Sequence, residues 1–237
     1  MISVGNDIIS LKSIDATRTK QARFYSKFLT QEEVDLYDET FAAILPFEHF
    51  AWLLWSVKES VYKCHKRNNT ELIFSPKKII IEQVDLPKGQ PVVTFTTNKI
   101  SAKGFNPNHS FECIAVYDEI SFRSRSLVSN EFIHSVVTNG DGFMHIQWGI
   151  SRIKSYDYAF QHLEVRELTL KQLKELFPSA NLQINKNQNG IPDILIDDNK
   201  SGMPLSFSHH EQFIAYCFVS AQGGVEHATS QYHLQSN

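Results

Sequence analysis

The sequence predicts an α+β protein, and three observations lead to this prediction. Of the 237 residues, 42% are hydrophobic and 21% are charged, as in an ordinary globular protein. Two long segments have helical patterning, and much of the remainder consists of short β-rich segments separated by turn residues. The two halves share a coarse order of strand, helix and strands, which suggests an internal duplication, although residue-level repetition is too weak to show one.

Charge and composition exclude several classes of function. The net charge is −3, so nothing in the totals suggests a nucleic-acid partner. The mean hydropathy is −0.27 and no long apolar run occurs, so we expect no membrane span and no membrane partner. The N-terminal residues lack the pattern of a signal peptide. The cysteines Cys64, Cys113 and Cys217 are odd in number and far apart, which fits free thiols in a reducing cytoplasm.

The first half is predicted as a strand, a helical region, a long helix and several strands. Residues 2–11 form the strand, and residues 13–37 are helical with a break near Thr30, which has capping-box spacing to Glu33. The strongest helix of the sequence begins just after Pro46. Further strands are predicted at 76–84, 91–98 and 109–128.

A second composition block begins near Val128 and follows the same order. Residues 142–153 are predicted as a strand and residues 155–177 as a helix. Residues 181–196 form a strand pair with Asn189-Gly190 at its turn. Residues 203–221 are predicted as strand, polar interruption and strand, and the polar residues 222–237 as a frayed end.

Asp7 lies within the apolar run Val4–Leu11, where its presence needs a reason. Aspartate is unfavourable in strands because its short side chain competes with the hydrogen bonds of the backbone. Either the strand ends early in a turn, or Asp7 lies at a strand end because something positive binds there.

Glu59 is the second carboxylate of interest. At 3.6 residues per turn, three aromatic residues of the long helix fall on both sides of it, namely Trp52, Trp55 and Tyr62. Lys63 lies one turn on, and an ordinary surface Glu–Lys pair of about 0.2–0.5 kcal/mol is one interpretation. A carboxylate flanked by aromatic rings also needs a partner to remain charged, either Lys63 or a divalent cation. Asp7 and Glu59 could converge on one Mg²⁺, although spacing alone does not show that they meet.

These stretches together resemble a known family. Gly5-x-Asp7 is followed after about fifty residues by Trp55-Ser56-x-Lys58-Glu59-Ser60-x-x-Lys63. This combination resembles the signature of the 4′-phosphopantetheinyl transferases. The segment 23–33 also resembles the corresponding segment of holo-acyl-carrier-protein synthases, and 74–81 follows the second motif as the family's next strand does.

The C-terminal half adds to the resemblance in an unexpected order. Residues 184–195 are similar to the family's Gly-x-Pro turn, here Gly190-Ile191-Pro192, and residues 205–218 to its Ser-His strand. In the larger two-lobed members these elements precede Gly-x-Asp, whereas here they follow it. The chain therefore resembles a two-lobed transferase with its lobes in swapped order, as in a circular permutation.

The resemblance implies a fold of two similar lobes that form a pseudo-dimer. Each lobe is a small, mainly antiparallel sheet packed with helices. The first lobe, 1–125, carries the Gly-x-Asp and Trp-Ser-x-Lys-Glu-Ser-x-x-Lys motifs, and the second, 126–237, carries the Gly-x-Pro turn and the Ser-His strand. Because one chain supplies both lobes, a monomer is expected.

The resemblance also implies an activity. The enzyme would transfer the 4′-phosphopantetheine arm of coenzyme A to a serine of an acyl or peptidyl carrier protein, as in fatty acid biosynthesis. Mg²⁺ would be held by Asp7 and Glu59, which neutralises charge on the pyrophosphate. Glu59, directly or through a water, would take the serine proton, and Lys63 would stabilise or protonate the departing phosphate oxygen.

Coenzyme A contacts are implied for a larger set of residues, namely Lys58, Ser208, His209, Gly190, Pro192 and Arg166. Three departures from the family pattern affect this set and the metal: Ile9 stands where many two-lobed members have an acidic residue, Ile191 replaces a basic residue, and 64–72 lacks the usual glycines. Lys66 and Arg67 offer positive charge at that helix end instead.

Two alternative functions remain open. One is a degenerate homologue that binds carrier protein or coenzyme A without catalysis. The other is an unrelated Mg²⁺-dependent phosphate-ester enzyme.

Overall fold

The computed structural model describes residues 2–220. The elements up to residue 103 are β1 (Val4–Ser10), α1 (Ala16–Thr19), α2 (Ala22–Tyr25), α3 (Gln31–Asp35), α4 (Glu39–Ala42), α5 (Phe47–Lys66), β2 (Ile80–Asp85), β3 (Val92–Val93) and β4 (Lys99–Lys103). Those that follow are β5 (Ser110–Tyr117), β6 (Ile120–Ser129), β7 (Phe132–Thr138), β8 (Ile146–Arg152), α6 (Tyr158–Leu176), β9 (Leu182–Lys186), β10 (Pro192–Ile196), β11 (Asn199–His210) and β12 (Phe213–Val219). Short 3₁₀ turns occur at Leu11–Ser13 and Pro76–Lys78.

The strands form two sheets. Sheet I has the order β1-β7-β6-β5-β2, with β3 paired in parallel to one end of β6. Sheet II has the order β4-β8-β12-β11-β10-β9. Every other pairing is antiparallel, and most are hairpins between consecutive strands. The α+β class with antiparallel sheets is therefore as the sequence predicts.

The two long helices lie on the outer faces of the two sheets. One apolar core joins α5 and the short helices to sheet I, and another joins α6 to sheet II. A third core lies between the sheets, with Val136 of sheet I and Trp148 of sheet II among its members. The layers therefore run α5, sheet I, sheet II, α6.

Strand β1 alternates between two of these layers. Val4 and Ile8 contribute to the core between the sheets, whereas Ile9 contributes to the core beneath α5. Because successive side chains of a strand point to opposite faces, Asp7 points toward α5 and Asn6 toward sheet II. This alternation decides what each polar residue of β1 can contact.

The local signals for helices are confirmed. Helix α5 starts directly after Pro46, and α3 has a capping box in which the Thr30 hydroxyl accepts from the Glu33 N–H and the Glu33 carboxylate accepts from the Thr30 N–H. Residues 13–37, however, form three short helices, because Asp15 caps one of them and Gln21 begins another. No helix within residues 2–220 combines the length and apolarity needed to cross a membrane.

Two strands depart from the sequence-based expectation. Strand β7 is fully buried and lies between β1 and β6, and β4 joins the edge of sheet II although it comes from the first half of the chain. The predicted boundary between residues 125 and 126 lies within β6. The division of the strands between the two sheets therefore does not coincide with this boundary. The division into lobes 1–125 and 126–237 stays a prediction, and the expected frayed end at 222–237 lies outside the described residues.

Candidate active site

Gly5 allows α5 to approach β1 closely. A Cβ at this position would lie 2.0 Å from the Ser60 carbonyl oxygen and 2.5 Å from the Cys64 nitrogen, far inside contact distance with helix backbone. Only glycine fits where another backbone comes so near. The glycine of Gly5-x-Asp7 therefore sets the distance at which Asp7 meets the helix.

Asp7, Glu59 and Lys63 meet at this crossing. The Lys63 Nζ lies 3.2 Å from Asp7 Oδ1 and 3.1 Å from Glu59 Oε1, and it donates to the Asn6 carbonyl oxygen at 3.0 Å. One ammonium group thus pairs with both carboxylates, although Asp7 and Lys63 are 56 residues apart. The structure brings together the three residues that the two motifs single out.

The three groups differ in exposure and in charge. Asp7 is 5% exposed, whereas the side chains of Glu59 and Lys63 are 31% and 25% exposed. Burial raises the pKa of Asp7 to about 7 against the opposing charge of Lys63, and the charge of Glu59 adds to the increase. Burial lowers the pKa of Lys63, but Asp7 and Glu59 outweigh it, so the pKa is raised and the ammonium stays protonated.

One oxygen of this cluster lacks a hydrogen-bond partner. Asp7 Oδ2 is buried and accepts no hydrogen bond of normal geometry from the described residues, and the buried Ser56 hydroxyl, which interacts with the Asp7 carboxylate, makes none either. A buried carboxylate oxygen in this condition favours a proton or a cation, and two carboxylates completed by water and substrate oxygens suit Mg²⁺. Within residues 2–220 no three acidic, histidine or cysteine side chains group to hold a metal ion.

The Ser-His strand of sheet II lies beside β1. The Ser208 hydroxyl accepts from Asn6 Nδ2 at 2.9 Å, and the Ser206 hydroxyl accepts from the Asn6 N–H at 3.0 Å. Burial and the nearby charge of Lys63 lower the pKa of His209, while the charge of Glu59 opposes them. His209 therefore lies close enough to Lys63 and Glu59 of the second motif for their charges to act on it.

Residues 3–115 match the family model of the 4′-phosphopantetheinyl transferase superfamily. The family that the motifs resemble is thereby confirmed for this part of the chain. The match includes Gly5-x-Asp7 and the motif of α5, and it ends before the Gly-x-Pro turn and the Ser-His strand. No match is found among curated proteins or among solved structures.

Lys58 lies away from the other motif residues of this family-matched region. Its ammonium donates to Glu33 Oε2 at 2.6 Å, to the Phe28 carbonyl oxygen at 2.8 Å and to the Pro76 carbonyl oxygen at 3.0 Å. Both side chains of the Lys58–Glu33 pair have no exposed surface. All three donors are used in the interior, which argues against the coenzyme A contact expected for Lys58.

The Gly-x-Pro turn joins β9 to β10. Gly190 has φ of 75°, a backbone conformation that glycine adopts without strain. The Pro192 carbonyl oxygen accepts two hydrogen bonds from Arg67, so this residue of the turn contacts the end of α5. Lys66 donates to the Leu72 carbonyl oxygen instead. Arg67 is therefore not a free positive charge at that helix end.

Arg166 lies on α6 beside a histidine that the sequence analysis passed over. Its Nη1 donates to the His162 carbonyl oxygen at 3.2 Å. The rings of His162 and His209 have centroids 5.0 Å apart. Burial, with the charges of Lys186, His209 and Arg166, lowers the pKa of His162 to about 4. The positive charge of Lys186 thus acts on both His162 and His209, with Arg166 near the first and Lys63 near the second.

Sequence reasoning missed Asn6 and His162, and it gave Arg67 only as positive charge at the end of α5, without its contact with Pro192. Asn6 occupies the variable position of Gly5-x-Asp7, and strand alternation alone could have indicated that it faces the other way from Asp7. The contact of Arg67 with Pro192 and the place of His162 beside His209 carried no signal, because these partners lie far away in sequence.

Proposed function

We propose that the protein transfers the 4′-phosphopantetheine arm of coenzyme A to a serine of an acyl or peptidyl carrier protein, with Mg²⁺. The observation that carries this proposal is the shared contact of Asp7 and Glu59 with Lys63, at the crossing of β1 and α5 in the family-matched region. The unpartnered Asp7 Oδ2 supports a cation there. When bound, Mg²⁺ would supply positive charge for the pyrophosphate oxygens.

The remaining catalytic roles would belong to Glu59, Lys63 and Asp7. A bond forms between the serine oxygen and the β-phosphorus, and the bond from that phosphorus to the adenosine bisphosphate oxygen breaks. Glu59 accepts the serine proton, since it is partly exposed and has Lys63 beside it. Lys63 donates to the departing oxygen, because its raised pKa keeps it charged next to the carboxylates. Asp7 and Glu59 would hold the cation.

Coenzyme A would lie toward sheet II. We assign its phosphates to His209 and Arg166, since the positive charge of Lys186 acts on both His162 and His209 at this wall and that of Arg166 acts on His162. The hydroxyl of Ser208 and the turn at Gly190 and Pro192 would form the adjoining wall.

The finer statements about the fold belong to this proposal. Each sheet carries one long helix on its outer face, which supports two similar lobes in a pseudo-dimer with permuted order, divided as 1–125 and 126–237. Since one chain supplies both walls, we propose a monomer. The three buried cysteines are free, which supports a reducing, cytoplasmic location. A holo-acyl-carrier-protein synthase role in fatty acid biosynthesis is the pathway proposed.

Intact mass spectrometry tests the activity. The protein is incubated with coenzyme A, Mg²⁺ and several apo carrier proteins, including carriers from the same genome, and the carriers are weighed. We expect the carrier to gain the mass of one phosphopantetheine arm, and we expect EDTA to prevent the gain. If no carrier gains mass although the protein binds coenzyme A or a carrier, the activity is absent and the binding-only alternative, which Ile191 favours by removing a basic residue, takes its place.

A further inference from the structure

Arg67 joins the two halves of the candidate site. It caps the C-terminal end of α5, one turn beyond Lys63. Its Nη1 and Nη2 donate to the Pro192 carbonyl oxygen at 3.1 and 3.0 Å, and Nη2 lies 3.6 Å from Asp193 Oδ1. These contacts cross 125 residues of sequence and link α5 to β10.

The surroundings of Arg67 make this contact more than a surface ion pair. Its side chain is 15% exposed. Burial lowers the pKa of Arg67, and the charge of Asp193 opposes this. Removing the acceptors of a guanidinium group destabilises the protein more when that group is largely buried than when it is exposed to water. Asp193 also pairs with Lys200 at 3.1 Å, although that lysine is largely exposed.

A second, separate contact joins the same two halves. Asn6 of β1 donates to Ser206 and Ser208 of β11, next to Asp7. Arg67 contacts β10, the neighbour of β11 in sheet II. The Asn6 contact therefore sets the position of the Ser-His strand, whereas the Arg67 contact sets the position of the Gly190–Pro192 turn.

We propose that Arg67 is a positioning residue for coenzyme A. It holds the Gly190–Pro192 turn at a fixed distance from the Lys63 end of α5, so that both walls present their contacts to one ligand. The inference rests on the proposed function. The contact from Arg67 also orders the turn without a basic side chain in the turn itself, where Ile191 stands between Gly190 and Pro192.

The test compares Arg67→Met with Lys66→Met. Lys66 is the neighbouring cation, but its ammonium donates to the Leu72 carbonyl oxygen and lies over the Tyr62 ring, so the structure does not place it at the coenzyme A wall as the sequence suggested. Its replacement removes the same charge without touching sheet II. For Arg67→Met we expect KM for coenzyme A to rise about tenfold with kcat within about twofold, as for the loss of one or two hydrogen bonds. Lys66→Met is expected to change both by less than about twofold.

Three further measurements separate positioning from general stability. Hydrogen exchange of the amides at 187–195 should quicken in Arg67→Met and stay unchanged in Lys66→Met. Arg67→Lys, which keeps the charge and one donor, should recover part of the KM; it also serves if Arg67→Met does not fold. Direct titration with coenzyme A should show the same order of affinities.

The outcomes distinguish this inference from the proposed function. If the wild type transfers the arm and Arg67→Met has the KM of Lys66→Met, the inference is wrong and the function stands. If Arg67→Met lowers kcat and stability while KM stays constant, Arg67 is structural only and the inference is again wrong. If the wild type neither modifies carriers nor binds coenzyme A, the proposed function fails and the inference fails with it.

Discussion

Helix α5 carries two lysine–carboxylate sites that are five residues apart and have opposite character. Lys58 and Glu33 are fully buried, 2.6 Å apart, and every ammonium hydrogen of Lys58 has an acceptor. Lys63 likewise meets three acceptors, Asp7 and Glu59 at 3.2 and 3.1 Å and the Asn6 carbonyl oxygen at 3.0 Å, but it is partly exposed. Both oxygens of the Glu33 carboxylate accept hydrogen bonds, whereas Asp7 Oδ2 accepts none of normal geometry. The residue types are the same, and the completeness of the hydrogen bonding differs.

The difference follows from the position of each lysine on the helix. Five residues correspond to about 140° of rotation, so Lys58 points into the core with the capping box of α3, whereas Lys63 points to the crossing with β1. A complete buried network resists change, because any loss leaves an unpaired charge. An incomplete one retains capacity for a proton, a cation or a substrate oxygen. The comparison teaches that completeness, more than burial, separates the structural site from the candidate catalytic one.

The largest effect is expected at the incomplete site. Glu59→Gln removes the proposed proton acceptor and should lower the rate of carrier modification by about 10²–10⁴-fold, because the amide cannot take the serine proton. The measurement is the initial rate of the carrier's mass gain. The control is Glu167→Gln, an exposed glutamate of α6. Near-normal turnover in Glu59→Gln, with unchanged thermal unfolding, would contradict the assigned role.

The complete site should respond in stability. Lys58→Met leaves Glu33 charged and unpaired in the core, and we expect the free energy of unfolding to fall by about 3–5 kcal/mol, as when a buried ion pair loses one partner. Denaturant unfolding measures this change. Lys63→Met is the matched variant and should cost clearly less stability, since Glu59 keeps access to solvent. Equal losses in the two variants would remove the distinction drawn between the sites.

The smallest effect concerns the pH dependence of stability. The folded protein raises the pKa of Asp7 from an ordinary 3.8 to about 7, so the native state binds this proton more tightly than the unfolded chain. The stabilising contribution is complete below about pH 4 and is lost as the pH rises through about 7. Without divalent cations, the free energy of unfolding of the wild type should therefore decline between these values relative to that of Asp7→Asn.

Mg²⁺ sharpens the same experiment. A cation that binds the ionised carboxylate favours its charged form, so millimolar Mg²⁺ should reduce the decline in the wild type and leave Asp7→Asn unaffected. Parallel curves for the two proteins, with and without Mg²⁺, would show that Asp7 neither titrates as described nor binds the ion. This readout needs no substrate.

Much of the site could be predicted from sequence because it rests on local spacing. The start of α5 at Pro46, the capping box at Thr30 and the family-matched motifs are all short-range patterns. The turn at Asn189-Gly190 is likewise a local signal. Strand β7 escaped notice because, with both faces buried, Phe132–Thr138 has no polar alternation to mark it as a strand.

The sequence by itself determined the motifs of β1 and α5, and these motifs indicate the family that the chain resembles. Tertiary structure alone decided the partners: Asp7 beside Lys63, Lys58 with Glu33, and Arg67 on Pro192, over separations of 56, 25 and 125 residues. Helix period and strand alternation give the direction of a side chain, but the group it meets depends on which distant backbone packs there. The close approach at Gly5 shows why, since one missing Cβ sets the crossing at which the carboxylates gather.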